Sequence, residues 1–132
     1  MNTRIVLDFI KAINAADVDT ISFLLTDDHV FVDSQNNKVI GKDAMTEAWK
    51  AFYKVFPDYH IEVNETLAKD EIVMVTGFAS GTYKNLKHED IDTSWIVPAC
   101  FKAILKDGKI ELWQIFADMS KAYEIVKRYS GS

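Results

Sequence analysis

Three side chains combine a titratable group with a position that suits acid–base chemistry: Asp33, Asp118 and His29. Asp33 closes the run His29-Val30-Phe31-Val32-Asp33, whose β-branched and aromatic content reads as a strand, and a polar loop follows it. A carboxylate placed in an apolar cavity has its charged form disfavoured, so its pKa rises toward useful basicity. The same position equally suits a turn cap that accepts the amides of Gln35 or Asn36. Asp118 ends the last strand; an N-cap for the tail, ahead of Met119 and Ser120, fits it as well as an acid–base role. His29 shares a strand face with Phe31 and Asp33, but four residues of strand rise hold it about 13 Å from Asp33. The two therefore form no dyad. His29 either projects into a cavity as an independent acid or base or sits at the start of its strand, partly exposed. His60 falls on a polar strand face and His88 in a polar loop, too scattered to build a two-histidine site with His29.

Composition removes several other chemistries. The lone cysteine, Cys100, has no intramolecular disulfide partner, and no thiolate cluster exists for zinc. It reads as an inert buried thiol, and neither a metal nor a cofactor is expected. The formal net charge is −5, and the only arginines, Arg4 and Arg128, stand near opposite ends with no basic stripe between them. Nucleic acid is thus not an expected partner, because phosphate binding needs clustered Lys and Arg. No apolar run approaches the roughly 18 residues of a membrane span, and no amphipathic segment carries a basic polar face. The N-terminus MNTRIVLDFIKAIN has an early acid and helical periodicity rather than a signal-peptide pattern. The expected location is the cytoplasm.

The elements that would position these groups follow from periodicity. A chain of 132 residues suits one domain spanning residues 1–132, long enough to bury a sizeable core without staples. Ile5, Phe9, Ala12 and Ile13 recur at helical spacing and predict a helix from Asn2 to Ala15. Asp17 reads as the N-cap of a short second helix that stops near Thr26-Asp27-Asp28. Ser34 to Lys38 is a turn. Gly41 precedes a third helix, from Lys42 to about Phe56, where Met45, Trp49, Phe52, Tyr53 and Phe56 mark one face and Pro57 enforces the stop.

Strands are expected around Tyr59 to Leu67, Ile72 to Tyr83, Thr93 to Leu105 and Lys109 to Ala117. Lys69-Asp70-Glu71 and Asp107-Gly108 supply the turns, and Asn85 to Asp90 is a loop. Pro98 marks a bulge or an unpaired edge position. The tail, Asp118 to Tyr129, has the spacing of a helix. Helices segregated from a mostly antiparallel sheet make an α+β fold. Ile72 to Val75 and Trp95 to Val97 are apolar on both strand faces, which asks for cover on both. Helices cover one face; a second copy of the chain, in a homodimer formed through the sheet, would cover the other.

The segment HVFVDSQNNKVIGKDAMTEAWKAFYKVFPDYHIEV and the closing DGKIELWQIFADM resemble SnoaL-like polyketide cyclases and their ketosteroid-isomerase relatives, of the nuclear-transport-factor-two-like, cystatin-like fold. The resemblance covers nearly the whole chain. It implies a curved, mostly antiparallel sheet forming a cone around three N-terminal helices, with an apolar small-molecule pocket inside. It places Asp33 on the position of the isomerases' general base and Asp118 where cyclase-like members carry an acid. It also exposes departures. Phe9 stands where the isomerases carry an oxyanion-donating Tyr, and Cys100 where they carry a protonated Asp, so the oxyanion hole is missing. The Asp-Arg-Asp arrangement of the family's epoxide hydrolases has no counterpart, since no expected strand contains Arg.

The implied function is small-molecule binding. It would be either a cofactor-independent cyclase, isomerase or lyase acting on an apolar or aromatic substrate, or a non-catalytic ligand-binding or protein-interaction module. Phe9, Met45, Trp49, Phe52, Tyr53, Phe56, Cys100 and Trp113 are the candidates for lining the pocket.

Overall fold

The computed structural model describes residues 1–84 and 91–130; His88 and the loop expected at Asn85 to Asp90 lie outside them. The helices form where the apolar spacing asked for them. α1 spans Asn2–Asn14 and turns Val6, Phe9, Ile10, Ala12 and Ile13 inward. Asp17 caps α2, Val18–Phe23, by accepting the Thr20 amide at 3.2 Å. α3 spans Lys42–Val55 and stops at Phe56, as the following proline requires. α4, Ser120–Ser130, is the helical tail.

Six strands form one curved sheet in the order β2-β1-β6-β5-β4-β3. They are β1 (Leu25–Val32), β2 (Lys38–Ile40), β3 (His60–Lys69), β4 (Ile72–Thr82), β5 (Ser94–Lys106) and β6 (Lys109–Ala117). Every pairing is antiparallel except β1 with β6. Two differences from the sequence reading stand out. α2 ends at Phe23, so β1 begins already at Leu25, where Ile110 pairs with it; its register against β6 shifts before Val30. β2, only three residues long, was not expected. It exists because the turn at Asp33 to Asn37 folds Lys38–Ile40 back onto Val30–Val32.

The turns obey local chemistry. Asp107 and Gly108 have φ of 52° and 76°, both positive as a two-residue type I′ hairpin demands. Pro98 pairs with Phe78 without any bulge in the β4–β5 register. On its other flank it is unpaired, because β6 ends at Ala117, opposite Ala99. α4 occupies the space beyond that end. Ala122 is fully buried there, Lys121 and Ile125 share a cleft with Ser94, and the Tyr123 hydroxyl lies 3.5 Å from Ser34 Oγ.

The sheet curls where its register slips. One slip lies between Val63 and Glu65, opposite Gly77. A Cβ at Gly77 would stand 1.7 Å from the Glu62 carbonyl oxygen, so this close approach admits only glycine. Inside the curl the core is solid at one end: Phe9 meets Trp113 edge-on at 5.0 Å, and Phe101 stacks on Trp113 at 5.2 Å. Toward the other end a second aromatic group gathers Trp49, Phe52, Phe56, Tyr59 and Trp95.

Candidate functional site

Between α3 and the sheet the packing leaves a cavity of about 120 Å³. α3 supplies Met45, Ala48, Trp49 and Phe52, a stripe at steps of three and four that only a helix places on one side. Phe31 of β1, Val39 of β2 and Ile115 of β6 face them, and Tyr59 closes the wall. Among the described residues no charged side chain lines it. Its lining is almost wholly apolar, and burial raises the pKa of the Tyr59 hydroxyl, so that it stays protonated. The Trp49 indole nitrogen is buried and has no hydrogen-bond partner among the described residues.

The three titratable candidates lie off this wall and are engaged elsewhere. Asp33 Oδ1 accepts the amides of Gln35 at 2.9 Å and Asn37 at 2.8 Å, and Oδ2 accepts the Asn37 side chain at 3.2 Å. It holds the β1–β2 turn, whose Asn36 has a φ of 66°. Asp118 is exposed and accepts the Ser120 amide at 3.0 Å at the start of α4. The Ser120 hydrogen bonds lower its pKa. His29 is not at an exposed strand start but fully buried on β1. Its Nδ1 donates to the Ile110 carbonyl at 2.8 Å, and burial lowers its pKa so that the ring stays neutral.

Of the residues expected to line a pocket, Met45, Trp49 and Phe52 stand on the wall of this space. Phe9 and Trp113 fill the solid core instead, where they pack against each other. Phe56 packs on Trp95 at 5.4 Å, and Tyr53 donates its hydroxyl to the Ile13 carbonyl at 2.7 Å, tying α3 to α1. Cys100 is on the opposite face of the sheet, level with Thr76 and Phe116. The wall residues the sequence reading missed had faint signals. Phe31 alternates with His29, Ile115 with Trp113, and Ala48 sits one turn from Met45 and Phe52. Val39 had none, since β2 itself was not legible. Among the described residues no group of three or more His, Cys, Asp or Glu is placed to hold a metal ion.

Comparison with known proteins adds the family. The family model for the SnoaL-like domain matches residues 6–113. No curated protein matches the sequence. Among solved structures, a candidate polyketide cyclase from Xanthomonas campestris superposes with a TM-score of 0.81 at 17% identity, over 94% of this chain and 96% of that one. A ketosteroid-isomerase-like protein from Catenulispora acidiphila, in complex with trimethylamine, gives 0.78 at 14% identity, over 96% and 92%. An LEH-like epoxide hydrolase from M. tuberculosis gives 0.78 at 18% identity, over 98% and 91%. At these identities the likeness is one of fold.

Proposed function

We propose that this chain, which belongs to the SnoaL-like domain family, binds a small apolar molecule in the cavity between α3 and the sheet. The observation that carries the reading is the cavity itself. Elsewhere the aromatic side chains interlock, yet here eight side chains from four elements and the α3–β3 connection stand apart around a space with carbon walls. Side chains that border such a space lack packing partners on that side. A ligand of matching shape would recover those contacts.

Binding is favoured over turnover by where the acids are. Asp33 and Asp118 spend their oxygens on amides of their own turns, and His29 is pinned to a backbone carbonyl. A cyclase, isomerase or lyase mechanism would need one of them freed and brought to the cavity. The polyketide-cyclase and epoxide-hydrolase names of the structural neighbours do not alter this, because no strand of this chain carries Arg and the isomerase-type oxyanion donors are replaced by Phe9 and Cys100. The proposed assembly is a homodimer through the outer face of the sheet, where Ile96 is 63% and Phe116 48% exposed, beside Met74, Phe78 and Ile104.

Ala48→Leu tests the site. The added carbons point into the cavity from α3 and fill it, so the variant is expected to fold with equal or greater stability. A thermal-shift assay with acetophenone should raise Tm for the wild type and leave Ala48→Leu unmoved. Equal shifts in both proteins would place the ligand elsewhere and sink the reading.

A further inference from the structure

We infer that the free edge of β3 pairs with β3 of a second copy of the chain, antiparallel about a two-fold axis at Leu67, and so joins two sheets into one. This contact is made by a strand edge. It depends on neither the cavity nor the dimer through the outer face.

The hairpin fixes which backbone groups are free. β3 ends the sheet, and Lys69 pairs with Ile72 across a two-residue turn. The Leu105 amide donates to the Glu71 carbonyl at 2.9 Å, so Glu71 and Val73 turn their backbone groups toward β5. Ile72, Met74 and Thr76 therefore turn theirs toward β3, where Lys69, Leu67 and Glu65 stand level with them. Thr66 and Ala68 are left pointing their N–H and C=O groups away from the sheet. Among the described residues nothing bonds to those groups.

The rest of the edge is guarded. The Ile61 amide donates to Asn14 Oδ1 at 2.8 Å, and Asn14 Nδ2 donates to the Ile61 carbonyl at 2.9 Å. The bulge after Val63 interrupts the ladder. At the tip Asn2 Nδ2 donates to the Asp70 carbonyl at 3.2 Å. The open stretch runs from Glu65 to Lys69.

Its side chains select the occupant. Leu67 is 77% exposed, and Glu65 and Lys69 are exposed with no ion pair among the described residues. By alternation all three lie on one face. Antiparallel pairing sets Thr66 against the partner's Ala68 and Ala68 against the partner's Thr66, each pair exchanging both N–H···O=C bonds. Leu67 then meets the partner's Leu67, and Glu65 meets the partner's Lys69 at either end. These are the non-hydrogen-bonded positions, where side chains come closest. Centring the axis on Thr66 or Ala68 instead sets Leu67 against a charge and loses both ionic contacts. The stretch is thus complementary to itself in one register. So short an edge buries less area than a stable interface needs, which makes the pairing weak and concentration-dependent.

NMR of the ¹⁵N-labelled full chain, from about 0.05 to 3 mM, tests it at the weak end of the affinity scale. Rising concentration should shift the Thr66 and Ala68 amide peaks and slow their exchange with solvent. Glu65→Lys and Lys69→Glu should each weaken the association at least tenfold, because both ionic contacts become repulsive. An equimolar mixture of these two variants should associate at least as tightly as the wild type, since both contacts in the mixed pair join opposite charges. Ala68→Pro removes an outward N–H and leaves the ladder to β4 intact, so it should fold and not pair. The double mutant Ile96→Lys, Phe116→Lys should keep the edge signals. Unmoved Thr66 and Ala68 peaks, a mixture no tighter than either variant alone, or a folded Ala68→Pro that still pairs overturns the inference. Loss of the signals in Ile96→Lys, Phe116→Lys also overturns it and assigns Leu67 to the outer-face contact. Should Ala68→Pro fail to fold, the mixture of charge variants decides.

Discussion

His29 and Asp33 share a strand and differ wholly in what they can do. The imidazole is buried, and its desolvation outweighs both the hydrogen bond to Ile110 and the carboxylate of Asp28, so its pKa falls below the usual 6.5. In the unfolded chain the ring regains an ordinary pKa and takes up a proton more readily. Stability from His29 is therefore fully present above about pH 6.5 and is lost as pH falls from there toward the lower folded value. Urea melts of the wild type between pH 7.5 and 5.5 should show stability declining by up to ~1.4 kcal/mol per pH unit below 6.5. His29→Gln, which retains a donor for the Ile110 carbonyl, should flatten that slope. Asp17, Asp92 and Asp118 have pKa values lowered by Thr20, Ser94 and Ser120, so their contribution is lost only in acid below the ordinary carboxylate range and does not overlap this window. Asp33, by contrast, was legible both as a base and as a turn cap. Its partners, two and four residues ahead, are local, and the polar run Ser34-Gln35-Asn36-Asn37 carried that information in full.

Among elements, the β3–β4 ribbon holds the tightest backbone approach among the described glycines. Its register slips by one residue after Val63, and Gly77 lies against the slip with the Glu62 carbonyl in the space a Cβ would take. Gly77→Ala cannot be absorbed by a side-chain rotation, because the obstacle is backbone. We expect it to cost ~3 kcal/mol or more, the upper end of the range for overpacked sites, measured as a loss in urea midpoint with unchanged m-value. A cost under 1 kcal/mol would show that the bulge is soft and that the curl does not depend on it. Gly81, on the same face, is a weaker constraint, since a Cβ there would meet the Trp95 ring at 3.0 Å, a neighbour that could move by a few tenths of an ångström.

For the whole molecule, the two faces of the sheet meet different fates. The inner residues of β4 and β5, such as Val73, Val75, Phe101 and Ala103, are fully buried under the helices. Those alternating with them remain accessible: Ile72, Met74, Ile96, Cys100 and Ile104. With a second copy covering that face, the double mutant Ile96→Lys, Phe116→Lys should sediment as a monomer with an unchanged circular-dichroism spectrum, while the wild type sediments as a dimer at micromolar concentration. A wild-type monomer at high micromolar concentration would remove the homodimer from the account.

The sequence by itself determined the α+β class, the three N-terminal helices and the stop of α3, the helical tail, the two hairpin turns and the excess of apolar residues on both strand faces. These depend on backbone preferences and hydrogen bonds spanning a few residues, such as Asp17 with Thr20, Pro57 after Phe56, and Asp107 with Gly108. Only the tertiary structure decided that β2 exists, that His29 turns to Ile110 and that Phe9 and Trp113 fill a solid core. Only it brought Trp49 together with Phe31, Val39 and Ile115 around an open space. A cavity is a mismatch between surfaces contributed by segments far apart in the chain. Each segment alone looks like an ordinary apolar stripe, and whether the stripes interlock or stand apart depends on how the bulged sheet curves beneath α3.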